Sequence, residues 1–140
     1  MAEIKWAESA HHLPIGAFSP NPKNSKKHTK KQLEHIRNSI LHFGFLDPIG
    51  VWGKEHVVVE GHGRLEALKQ LVQDGKSRIP AEGVPCIMLD HLSKRDRDAY
   101  MLEHNQRTME TPWDDDLLDD VLGDIADEGL DMEQFGFDLP

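Results

Sequence analysis

Within VVVEGHGRLEAL, residues 57–68, three β-branched residues run into Glu60, Gly61, His62, Gly63 and Arg64, and a helical apolar pattern follows at Leu65, Leu68, Leu71 and Val72. A strand that ends in glycines and feeds a helix presents unpaired backbone N–H groups and the positive end of the helix dipole at one spot, where an anion is stabilised. Glycine admits φ > 0 and removes the Cβ that would hold a phosphate away from the backbone. Arg64 would add a bidentate donor, His62 a neutral or charged donor, and Glu60 a metal-facing carboxylate or a general base. The spacing is neither that of a Walker loop nor that of a dinucleotide fingerprint. These residues alone leave two readings open: a phosphate cradle, and a tight strand-to-helix turn with a surface Arg and His.

The elements that must position this junction can be read from the punctuation of the chain. Residues 1–12 read as a loose lead-in and Leu13 to Phe18 as a short strand, before the turn-rich SPNPKNSKKH. Thr29 and Gln32 form a capping box, and Leu33, Ile36, Ile40 and Phe43 give one apolar helix face that stops at Gly44. Asp47-Pro48 is a turn, Ile49 to Trp52 a strand, and Gly53-Lys54-Glu55 a hairpin turn into a strand from His56 to Glu60. Val84 to Leu89 is short and apolar enough to be a buried strand, with Cys86 as an inert core thiol. Ser93 caps a helix to about Arg107 that should turn Ala99, Leu102 and part of Tyr100 or Met101 inward. Leu117, Leu118, Val121, Leu122 and Ile125 then share a face of a last, acidic helix that ends at Gly129. The order predicts a mixed α/β fold, a short-stranded sheet with helices.

Composition bounds the function classes. At 140 residues the chain fits one domain, and it contains no apolar run of the roughly 18 residues needed to span a bilayer and no secretory signal pattern, so a cytoplasmic protein without a membrane partner is expected. A single cysteine excludes an internal disulfide framework and a CxxC zinc site, and the nine histidines show no HExxH spacing. The net charge of −9 conceals a division: residues 110–140 hold twelve acids and no Lys or Arg, which leaves +3 for residues 1–109. Lys23, Lys26, Lys27, Lys30, Lys31 and Arg37 cluster around a single acid, Glu34. The cluster reads as a solvated helix start or a phosphate-touching surface, and the acidic tail as a solvated helix face or an interaction surface. Trp6, Trp52 and Trp113 read as packing anchors.

Taken together, NPKNSKKH, a helix, GFLDPI, a strand, VVEGHGRLEAL, a strand with VPCIML and then LSKRDRDAYMLEHNQR resemble the ParB/sulfiredoxin superfamily, in its ParB-like nuclease-type branch associated with DNA methyltransferases of phage and mobile DNA. The resemblance covers residues 13–113, with residues 1–12 as lead-in and 114–140 as an acidic helical extension that would lead towards a partner domain. Its most specific part is GFLDPI followed at the right distance by EGHGRLEA.

The resemblance implies one nucleotide pocket. The triphosphate of CTP, or of ATP, would lie on Gly61, His62, Gly63 and Arg64. Asn24, Lys26 and His28, with the turn from Gly44 to Pro48, would line the base or phosphate side. Asn105 and Arg107 would reach the phosphates, and Glu103 with Asn105 would hold Mg²⁺. The chain departs from ParB, whose paired Glu-Arg is His62-Gly63 here and whose Glu-Asn acid is His104. Sulfiredoxin-like members carry their catalytic Cys where this chain has His62, which excludes sulfinic acid reduction. Serine kinases of the fold carry Asp-Gly-His-x-Arg, close to residues 60–64, which keeps phosphoryl transfer through Glu60 and His62 open as an alternative, alongside nuclease activity.

The resemblance thus implies a nucleotide-binding module acting with DNA or with a DNA-processing protein such as a methyltransferase, with slow NTP hydrolysis at most, and it allows a homodimer. A protein-docking scaffold with a vestigial pocket is the further alternative.

Overall fold

The computed structural model describes residues 3–7, 10–24 and 27–138. Its elements in chain order are β1 (His11–Leu13), a 3-10 turn (Ile15–Ala17), α1 (Lys30–Phe43), β2 (Ile49–Trp52), β3 (Val57–Glu60), α2 (His62–Gln73), β4 (Val84–Met88), α3 (Lys94–Glu110), α4 (Asp115–Asp127) and a C-terminal 3-10 turn (Met132–Phe135). The four strands form one mixed sheet in the order β1-β4-β2-β3. β2 and β3 are an antiparallel hairpin, β4 runs parallel to β2, and β1 is antiparallel to β4. This is the mixed α/β class that the alternation of short strands and helices predicts.

The centre of the sheet is apolar because β2 is covered on both faces. Ile49, Val51, Val58, Val84 and Cys86 are fully buried or nearly so, and they join Phe18, Leu65 and Leu68 in one cluster. α1 and α2 pack against each other, and α3 packs against β3. Burial raises the pKa of the Cys86 thiol above its ordinary value, in keeping with an inert core thiol. The capping box is present: Thr29 Oγ1 accepts from the Gln32 amide at 3.1 Å, and Gln32 Oε1 accepts from the Thr29 amide at 3.0 Å.

Three sequence expectations are corrected. The first strand is His11–Leu13 rather than Leu13 to Phe18, and the 3-10 turn Ile15–Ala17, flanked by Pro14 and Phe18, follows instead. His11 and His12, assigned to the loose lead-in, pair with Cys86 and Pro85 of β4. Pro14 supplies no donor, and its fixed φ turns the chain out of the ladder. In α3, Met101 is buried as the sequence allows, but Ala99 is exposed and Leu102 is 56% exposed, and Arg97 is buried in their stead. The inward face begins on a charged residue, Arg97, whose guanidinium lies 4.6 Å from the Trp52 ring centroid and donates to Asp98. An apolar pattern cannot reveal a face anchored by a cation. Among the tryptophans Trp52 is an anchor, and its Nε1 donates to the Leu92 carbonyl, but Trp6 and Trp113 are exposed.

Residues 19–23, ahead of α1, are pinned. The Ser19 amide donates to the His56 carbonyl, the Val58 amide donates to the Ser19 carbonyl, and Ser19 thereby adds to the free edge of β3. Asn21 is buried, its Nδ2 donates to Met101 Sδ, and its Oδ1 accepts from the Lys23 amide. Lys23 pairs with Asp98 at 3.2 Å. These contacts hold the loop between β3 and α3, beside the start of α2. At the other end, the C-terminal 3-10 turn folds back on α1 through Asn38 Nδ2 donating to the Gln134 carbonyl and through the Phe43–Phe135 ring contact.

Candidate nucleotide and phosphate site

Gly61 caps α2 with φ of +105°, a left-handed conformation that side chains rarely adopt, and a Cβ there would lie 2.8 Å from Ile49 Cδ1. The first backbone N–H to find an acceptor within the helix is that of Leu65, on the Gly61 carbonyl at 3.0 Å. No side chain caps the turn, and it carries no acid. The N–H groups of residues 62–64 therefore have no acceptor within the helix, at the end where its dipole is positive.

A cavity of about 230 Å³ opens at this end, lined by Asn24, His28, Ile36, Val59, Glu60, Gly61, His62, Gly63, Arg64, His104, Asn105 and Thr108. Eight of the residues that the sequence nominates are thus gathered: Asn24 and His28 from the pinned loop, Glu60 from β3, Gly61 to Arg64 from the junction and Asn105 from α3. A second cavity of about 440 Å³ shares Asn24, His28 and His62 as a wall. Gly44 lies in a third, of about 330 Å³, which meets the first through Ile36 and Arg64. Lys26 lies outside the described residues. Glu103 and Arg107 are placed elsewhere, joined to each other at 2.8 Å on an exposed face of α3. Ile36, Val59, His104 and Thr108 are wall residues that were not nominated as site residues, and only His104 carried a signal, as the departure from a Glu-Asn pair.

Arg64 is largely committed. Its Nη1 and Nη2 donate to the two Glu60 carboxylate oxygens at 2.8 and 3.1 Å, its Nη2 also donates to the Pro48 carbonyl at 2.8 Å, and its Nε donates to the Asp47 carbonyl at 3.1 Å. The guanidinium therefore ties the helix start to the Asp47-Pro48 turn, and Pro48 acts through its carbonyl. Both Glu60 oxygens accept from this one guanidinium.

The imidazoles complete the electrostatics. A Cβ on Gly63 would meet the His28 ring at 2.7 Å, so this glycine makes room for an imidazole as well as for a ligand. Burial, and then the neighbouring His28, hold the His62 pKa below its ordinary value against the opposing pull of Glu60. His62 is accordingly neutral at pH 7, and its buried Nε2 has no hydrogen-bond partner among the described residues. Positive character at the cavity thus comes from the helix end more than from Arg64, whose charge is matched by Glu60.

Magnesium fits poorly. Glu60 is engaged by Arg64, Glu103 by Arg107, and among the described residues no group of three or more His, Cys, Asp or Glu side chains could hold a metal ion. Only Asn105 of the expected pair reaches the cavity.

Four strands in one mixed sheet, four α-helices and a cavity at a glycine-ended helix start define a mixed α/β domain with a candidate anion site. The chain is 30% identical over 80 residues to the ParB-like nuclease domain-containing protein YnaK of Escherichia coli (strain K12), covering 57% of this chain and 82% of that protein. It therefore belongs to the ParB-like family, within the ParB/sulfiredoxin superfamily. Among solved structures, it superposes with TM-score 0.63 and 21% identity on C-terminally truncated ParB from Caulobacter crescentus in complex with CTP-gamma-S, over 82% of this chain and 63% of that one. A Pnob8-like ParB-N domain follows at TM-score 0.53 and 13% identity, over 79% of this chain and 41% of that one. The chain thus spans less than two thirds of either ParB chain. No family model matches it. Among the described residues no helix is long and apolar enough to cross a membrane.

Proposed function

We propose that the chain binds a nucleoside triphosphate, CTP or ATP, with its phosphates against the first turn of α2, and acts as a nucleotide-responsive module beside DNA or a DNA-processing protein such as a methyltransferase. The observation that carries this reading is the cavity that gathers Asn24, His28, Gly61, His62, Gly63 and Asn105 around uncapped helix N–H groups. The ParB of similar fold that is complexed with CTP-gamma-S supports the choice of ligand. Arg64 serves here mainly as a brace between the phosphate side and the Asp47-Pro48 turn. Arg64 holds both Glu60 oxygens, which supports binding over turnover; the phosphotransferase and nuclease alternatives would then run through His62, whose Nε2 has no hydrogen-bond partner among the described residues.

Thermal unfolding with and without nucleotide tests the proposal. CTP or ATP at 100 times its Kd should stabilise the wild type by about 2.7 kcal/mol, and Asn105→Ala should reduce the shift without altering the unliganded midpoint. An unchanged shift in Asn105→Ala would remove α3 from the site.

A further inference from the structure

We infer that the outward edge of α4, Leu117 and Val121 with Trp113 just before the helix, is a docking site for a basic amphipathic helix of another protein. α4 spends only part of its apolar arc within the chain. It packs against the C-terminal 3-10 turn, with Leu122 buried and Leu118 and Ile125 half-buried. With about 100° of rotation per residue, Leu117 and Val121 fall together at the end of the arc away from Leu122. They are 61% and 46% exposed, and Trp113, whose ring stands 6.0 Å from that of Phe137, is 66% exposed. An exposed indole four residues before an exposed leucine offers a favoured kind of anchor for a partner.

Charge selects the occupant. Continuing round the helix past Leu117 come Asp124, Asp120, Asp127 and Asp116, and no Lys or Arg occurs from residue 110 onward. An apolar edge bordered by carboxylates complements a helix with leucines on one side and Lys or Arg beside them. A second copy of the same face would bring aspartates against aspartates, and an anionic membrane would repel them.

The test uses the full chain and labelled helical peptides of about five turns: one with a leucine stripe flanked by lysines, one with the same lysines and serine for leucine, and one with glutamate for lysine. Anisotropy should report saturable binding of the first peptide alone, weakened by added salt. Leu117→Ser/Val121→Ser should weaken it roughly tenfold or more, and Asp120→Asn/Asp124→Asn should weaken it and flatten its salt dependence. Both pairs are surface changes, so unfolding midpoints should match the wild type. Equal binding of the serine peptide, or unchanged affinity in the Leu117→Ser/Val121→Ser variant, would overturn the inference by reducing it to charge attraction. Self-association of the wild-type chain that the same variant abolishes would also overturn it, because the face would then be covered by a second copy.

Discussion

At the scale of single residues, the junction from Glu60 to Arg64 divides its labour differently from what its composition suggests. Arginine beside glycines reads as a phosphate donor, yet Arg64 is absorbed by one carboxylate and two main-chain carbonyls. Those carbonyls lie 16 and 17 residues upstream, beyond the reach of any local pattern. Arg64→Ala should destabilise the fold by about 2 kcal/mol, since it strands a half-buried Glu60 and two acceptors. Arg64→Lys should recover only part, because an ammonium cannot reproduce the fork; chemical denaturation of the three proteins measures both. His62 offers a pH test. Its folded pKa lies below the 6.5 of the unfolded chain, so protonation favours unfolding: stability is unaffected well above 6.5 and falls as pH drops through that value. Denaturation midpoints from pH 8 down to about 5 should therefore decline less steeply in His62→Asn than in the wild type.

At the scale of elements, legibility followed the physics of the signal. The hairpin, α1 and α4 were readable because strong local codes coincide there: β-branched runs around Gly53, the Thr29–Gln32 box, and apolar residues three and four apart. The inner face of α3 was not, because it is set by Arg97 stacked on Trp52 and by Asn21 reaching Met101, both contacts between distant parts of the chain. β1 was misplaced for a related reason, since a three-residue strand held by pairing with β4 has almost no signature of its own. Thr29→Ala removes one partner of the box that starts α1, and the loss should be about 1 kcal/mol in thermal or chemical unfolding. An unchanged stability would mean that packing on α2, rather than the cap, fixes this helix end.

At the scale of the whole molecule, the site exists because three segments far apart in sequence converge: the loop pinned by Asn21 and Lys23, the β3–α2 junction and the second half of α3. Residue types leave residues 60–64 open as a phosphate cradle or a plain turn, the family resemblance implies the other walls, and only the fold separates Asn105, which lines the cavity, from Glu103 and Arg107, which do not. Calorimetric titration of CTP and ATP into the full chain and into Gly63→Val tests the central claim most directly. A Cβ at residue 63 would lie 2.7 Å from the His28 ring, which together with Gly63 lines the cavity. The account predicts saturable heat for the wild type and none for Gly63→Val, with circular dichroism confirming that the variant is folded; no binding by the wild type, or equal binding by the variant, would contradict it.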